Sequence, residues 1–257
     1  MKLFKAIIVT TFVLLSSLSA NTPLTGTQII EKTYNRPSAV DQTAMLTMTL
    51  TNKNGQTRVR KIQQFSKDMG DKEKSIMFFV SPADVKNTSF MNWTYDSDKS
   101  DDQWIYLPAL KKVKRISSDS KSDYFMGSDF TFDDLGGRKI NSDIHTLLRE
   151  EIVNEKECYV IESKSVNEDY MYSKTITWID KNTFIGVKKE FFDEDEELLK
   201  ILKIKKMEEI SNLYIITHSE MINVQKDHST TIILNNVNIN TGISENKFTE
   251  RMMTRGI

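Results

Sequence analysis

The sequence predicts a mainly β protein with a few helices, built on antiparallel strands. Short runs in which apolar and polar residues alternate with period two recur along most of the chain. Turn-forming clusters separate them at close intervals, and only two or three segments have helical spacing. No internal repeat or low-complexity linker divides the 257 residues. Residues 21–257 are therefore expected to form a single domain.

Lys2 and Lys5 precede an apolar run over residues 6–15, and Ser16, Ser17, Ser19 and Ala20 follow. Charged, then apolar, then small is the order of a secretory signal peptide, assigned here to residues 1–20. The run falls short of the roughly 20 apolar residues of a membrane span, and no Cys stands near it to take a lipid anchor. The mature chain is expected to be exported to the periplasm. Its one cysteine, Cys158, permits no intramolecular disulfide and is expected to be a buried, inert thiol in a strand.

Thr25 is placed to cap a helix over Gly26–Tyr34, with Ile29, Ile30 and Tyr34 on one face and Pro37 stopping it. In the strand over 43–51, Ala44, Leu46, Met48 and Leu50 share one face and threonines take the other. Asn54-Gly55 signals a hairpin into a strand over 56–65. Further strands are expected over 74–80, 89–95, 103–116, 158–166, 173–180, 184–192, 198–208, 213–224 and 229–237. The acidic run 193–197 is a hairpin tip, and a short helix near 244–252 closes the chain.

A large antiparallel sheet needs its apolar face covered, and little helix is available to cover it. The sheet must fold onto itself as a sandwich or curl around a few covering pieces. Ile76, Met77, Phe78, Phe79 and Val80 are apolar on both faces, so something packs on each side of that strand. The Gly26–Tyr34 helix and the segment 117–135 are the candidates. With Tyr124, Phe125, Met126, Phe130 and Phe132, that segment is too apolar for a surface loop and reads as a plug.

The charge balance, 35 basic against 36 acidic residues, provides no basis for nucleic-acid binding. There is no nucleophile elbow, no phosphate-cradling glycine loop and no zinc spacing, so no enzyme, cofactor or metal is expected. His145, His218 and His228 are scattered. Residues 96–102 begin like a calcium loop but have Asp101 at the sixth position and Leu107 at the twelfth, which makes them a hairpin tip. Asp129, Asp133 and Asp134 could pair as catalytic carboxylates, which leaves a hydrolase as a weak alternative.

The stretch "DDQWIYLPALKKVKRISSDSKSDYFMGSDFTFDDL", Asp101 to Leu135, resembles the outer-membrane lipoprotein-sorting protein family, the LolA-like superfamily, and more closely its divergent, uncharacterised branch. The carrying pattern is Trp-x-Tyr-Leu-Pro, a Lys/Arg-rich run, then Met-Gly-Ser-Asp-Phe. Weaker agreement runs from the first helix to Phe248. The resemblance implies a half-barrel: a strongly curved antiparallel sheet with helices plugging its concave apolar face. It implies a monomeric carrier that shelters the acyl chains of a lipid or lipoprotein, with an inner-membrane transporter as a further partner. A lipid-sensing or adaptor module docked to an envelope transporter or regulator is the alternative.

On this resemblance, Met48, Phe78, Trp104, Tyr106, Tyr124, Phe125 and Met126 are expected to line the apolar trough and plug. Lys111, Lys112, Lys114 and Arg115 would meet head groups or a membrane partner at the rim, and Gly127 would be the hinge. Each has a plainer reading: aromatics as core, the basic run as a solvated strand end that discourages edge pairing, Gly127 as a turn residue.

Overall fold

The computed structural model describes residues 23–257, and the segment read as a signal peptide lies outside the described residues. Helix α1 (Gly26–Tyr34) has the expected bounds. Its cap is reciprocal: Thr25 Oγ1 accepts from the Gln28 amide at 3.2 Å, and Gln28 Oε1 accepts from the Thr25 amide at 2.9 Å.

Thirteen strands follow: β1 (Asp41–Thr51), β2 (Thr57–Asp68), β3 (Lys72–Ser81), β4 (Ser89–Tyr95), β5 (Asp102–Leu107), β6 (Lys112–Arg115), β7 (Asp143–Val153), β8 (Lys156–Ser165), β9 (Lys174–Asp180), β10 (Gly186–Phe192), β11 (Leu198–Ile210), β12 (Leu213–Asn223) and β13 (His228–Ile239). Helix α2 (Glu250–Arg255) ends the chain. All thirteen strands lie in one sheet, ordered β6-β5-β4-β3-β2-β1-β13-β12-β11-β10-β9-β8-β7, and every pairing is antiparallel. The sheet does not close, since β6 and β7 each have one neighbour.

Its curvature follows from what the segment between β6 and β7 touches. The Phe132 carbonyl accepts from Gln103 of β5 at 2.8 Å, while Asp134, two residues on, is bonded to Lys200 of β11. Those strands stand seven places apart in the sheet order. At about 4.8 Å per strand that is about 34 Å of flat sheet, far more than two residues and two side chains can bridge. The sheet therefore wraps around this segment, and the face it touches is the concave one.

Strand β3 shows both faces at work. Met77 and Phe79 point into the concave side with Leu46, Met48, Leu50 and Ile62. Ile76 and Phe78 point to the convex side, where the C-terminal segment buries them under Phe248 and Met253. Lys74, on that convex face and buried, is paired with Glu245 at 2.7 Å and lies 4.4 Å over the Trp93 ring. At the far end of the concave face, Ile29 of α1 packs on Ile161 and Ile179.

Three elements differ from expectation. Residues 103–116 form a hairpin, because Pro108 starts a 3-10 turn and Lys111 takes a left-handed conformation at φ +50°. Strand β7 has no counterpart among the expected strands: a register shift between Leu147 and Arg149 breaks its alternation, and the polar outer residues of an edge strand hide it further. The C-terminal helix begins later than expected, after a 3-10 turn at Glu245–Lys247, with Thr249 as its cap.

Candidate functional site

The plug is anchored first by aromatic packing. Phe125 is fully buried and stands 5.1 Å from Phe90, 6.0 Å from Phe79 and 5.6 Å from Phe132, ring centre to ring centre. Met126 packs against the same cluster, and Met48 lies beneath it on β1. These three expected trough residues are brought together. Tyr124 lies beside them rather than among them: its hydroxyl accepts from Asn223 at 3.0 Å, and Lys226 sits 3.8 Å over its ring.

Phe78, Trp104 and Tyr106 are elsewhere. All three face the convex side, in the cluster covered by Phe248 and Met253. The correction has a simple cause: side chains on a strand alternate, and in β3 and β5 both faces are apolar, so spacing alone does not say which set meets the plug. Ile105, between Trp104 and Tyr106, is the residue that joins Met48 and Phe125. Trp104 instead packs edge-on to Trp93 at 5.0 Å and lines a second, apolar groove of about 380 Å³ on the convex face.

The basic run lies on the edge strand. Lys111 is at the turn, and Lys112 and Lys114 are exposed, paired in register with Leu107 and Ile105. Arg115 points the other way and bonds to Asp102. Gly127 (φ +73°) follows Met126 (φ +50°), so two successive residues are left-handed, and a Cβ at Gly127 would meet no atom within 4 Å. Glycine is required there by backbone conformation, not by space.

Polar ties, most of them invisible to pattern reading, hold the plug to both halves of the sheet. Arg60, buried on the concave face of β2, donates to the main-chain carbonyl of Met126, and burial lowers its pKa. Asp129 accepts from Thr230 Oγ1 at 2.6 Å and faces His228 Nδ1 at 2.7 Å. Asp134 accepts from Thr131 N at 2.7 Å and from Tyr172 at 3.1 Å, besides its bond to Lys200. Asp133 accepts from Tyr170 at 2.6 Å. The three carboxylates considered as a catalytic set are thus each engaged in holding the plug. Lys200 is completely buried, and burial lowers its pKa against the pull of Asp134. Burial also pushes the Tyr170 and Tyr172 hydroxyls up, so both stay protonated donors.

Among the described residues there is no cluster of His, Cys, Asp and Glu able to hold a metal ion, and no helix is long and apolar enough to cross a membrane. Cys158 is buried, with burial raising its thiol pKa.

A family model described only as an uncharacterised protein matches residues 71–255. No curated protein matches the chain. Among solved structures, a domain named for outer membrane lipoprotein sorting, from Vibrio parahaemolyticus, is 32% identical, with a TM-score of 0.84 over 90% of this chain and 98% of its own. A DUF1329 family protein from Desulfovibrio piger is 26% identical, with a TM-score of 0.84 over 89% of this chain and 97% of its own. A LolA superfamily protein from Nitrosomonas europaea shares the fold at 18% identity, with a TM-score of 0.68 over 90% of this chain and 100% of its own.

Proposed function

This chain belongs to the family of the outer membrane lipoprotein-sorting domain and shares the fold of the LolA superfamily, and from that premise we propose that it is a periplasmic carrier of acyl chains. The plug, in this reading, occupies the place of the cargo. The observation that supports it is the burial of Phe125 and Met126 against Met48, Phe79, Phe90 and Ile105 on the concave face.

A carrier must take up and release hydrocarbon near equilibrium. An acyl methylene gains about 0.8 kcal/mol on leaving water, so one long chain carries on the order of 10 kcal/mol. A bare apolar trough would hold such a chain too tightly and would be costly to expose when empty. Exchanging plug for acyl chain replaces one apolar contact with another, so the net change is small. The turn at Met126-Gly127 is the proposed hinge, and the Arg60 bond to the Met126 carbonyl is the contact that loading must break. The exposed Lys111 at the turn and Lys112 and Lys114 on the edge strand are proposed to face an anionic membrane or its transporter.

The test is native mass spectrometry and lipid extraction of the protein purified from the periplasm, followed by crosslinking with a photoactivatable fatty acid. Labels on Met48, Phe125 or Met126 are expected. Protein free of lipid, with no saturable uptake of the probe, would end the carrier reading. Labels confined to Trp93 and Trp104 would move the site to the convex groove.

A further inference from the structure

At the β8–β12 end of the concave face, away from the aromatic cluster, the plug roofs a cavity of about 210 Å³. Its character is not that of a hydrocarbon site. Thr175, Lys189, Tyr170 and Arg138 line it together with Phe191 and Leu202.

Three of the four cations around this cavity are paired with carboxylates. Arg138 is bidentate to Asp143, with Nε 3.0 Å from Oδ2, and stacks 3.7 Å over the Tyr170 ring. Lys200 is paired with Asp134, and Lys174 with Glu196 at 2.6 Å. Asp133 accepts from Tyr170 and lies near enough to Arg138 to raise its pKa. Lys189, half-buried in the cavity wall, makes no ion pair and no hydrogen bond among the described residues, although Asp133, Asp134 and Asp143 line the same cavity and favour its charge from farther off. Its side chain lies with its ammonium 5.0 Å from the Phe191 ring.

A lysine ammonium carries three donors and is costly to hold out of bulk water without an acceptor. Thr175, on the neighbouring strand two residues from the one paired with Lys189, lines the same cavity and adds a hydroxyl with no partner of its own among the described residues. The only planar fork in the cavity, the Arg138 guanidinium, is already taken by Asp143. What remains is a compact point charge beside a hydroxyl, which suits a tetrahedral oxyanion better than a planar carboxylate. Burial lowers the Lys189 pKa, and an incoming anion would restore it.

We propose that this cavity receives a phosphate group and that Lys189 is the residue that binds it. The phosphate could belong to a lipid headgroup, whose chains would then run toward the Phe125 cluster, or to a free phosphate ester. In its lipid form the proposal rests on the carrier reading above; in its free form it does not.

Calorimetric titration of the purified protein separates the cases, with dihexanoyl phosphatidate, dihexanoylglycerol and glycerol 3-phosphate as probes. Wild type is expected to bind the phosphatidate at least about tenfold more tightly than the diglyceride. Lys189→Met should lose that margin while still binding the diglyceride, and Lys189→Arg should keep part of it. Removing an unmatched ammonium should leave Lys189→Met at least as heat-stable as wild type; Lys189→Gln is a second neutral variant should it not fold. Glycerol 3-phosphate binding that needs Lys189, with neither lipid bound, would keep the phosphate site and sink the carrier reading. Equal affinity of wild type for the two lipids, a margin that survives Lys189→Met, or no binding of either phosphate probe would overturn the proposal.

Discussion

Lys200 of β11 donates to the Asp134 carboxylate and, at 3.2 Å, to the main-chain carbonyl of Asp129, so one buried ammonium binds the plug at two points. A buried pair of this kind is costly to break from one side, because the surviving charge has no water to turn to. Asp134→Asn is expected to cost about 3 kcal/mol in urea unfolding. In a Lys200→Met background the same change should cost at least about 1 kcal/mol less. Strict additivity would mean that the two groups do not act as a pair.

Arg60 offers a subtler handle, because it holds the plug without belonging to it. A hydrogen bond from a charged donor contributes about 1.5–3 kcal/mol. Arg60→Met should therefore raise amide hydrogen exchange across residues 124–132 by about tenfold or more, while α1 and β8 exchange as before. Uniform acceleration throughout the chain would show a global loss of stability instead of a loosened plug.

On the convex face, Phe248 is fully buried against Ile76, Phe78 and Met91. Phe248→Ala is expected to cost about 3–5 kcal/mol and to shift Trp93 and Trp104 emission to the red as water enters. Unchanged emission with lowered stability would place the damage away from the tryptophans.

Asp102 gives a pH signature. Burial alone would raise its pKa, but donors from Tyr95 at 2.7 Å, Lys99 at 2.9 Å and Arg115 outweigh it and hold the carboxyl at about 2. A depressed folded-state pKa means that stability is present above about pH 4 and is lost as pH falls through about 2. With screening by solvent at this edge, the contribution is about 1 kcal/mol. The stability gap between wild type and Asp102→Asn should narrow steadily from pH 5 to pH 2, and a gap that stays constant would refute the assignment.

Much of this architecture is legible in the sequence where one face of a strand is apolar and the other is not. Alternation in β1 identifies Leu46, Met48 and Leu50 as the inward set, and Thr25 marks the start of α1. The apolar character of Tyr124, Phe125 and Met126 is enough to mark a plug. Legibility fails where both faces are apolar, which is why Trp104 and Tyr106 fall on the side opposite to Phe125. It fails again for Arg60, Lys189 and Lys200, because a charged residue in a strand reads as solvated until its burial is seen. In Leu198-Leu199-Lys200-Ile201-Leu202 the one available hint was a cation inside an apolar run.

The two-sided apolar character of β3 also bears on how its pairing is chosen. For most strands a slip of one residue is forbidden because it turns polar groups inward, yet here it would merely trade one greasy set for another. Lys74 removes the ambiguity: in the native alignment it reaches Glu245 and Trp93, whereas a chain shifted by one residue would turn its ammonium to the opposite face and lose both partners. A single cation thus acts as the index pin that tells this strand which way to lie.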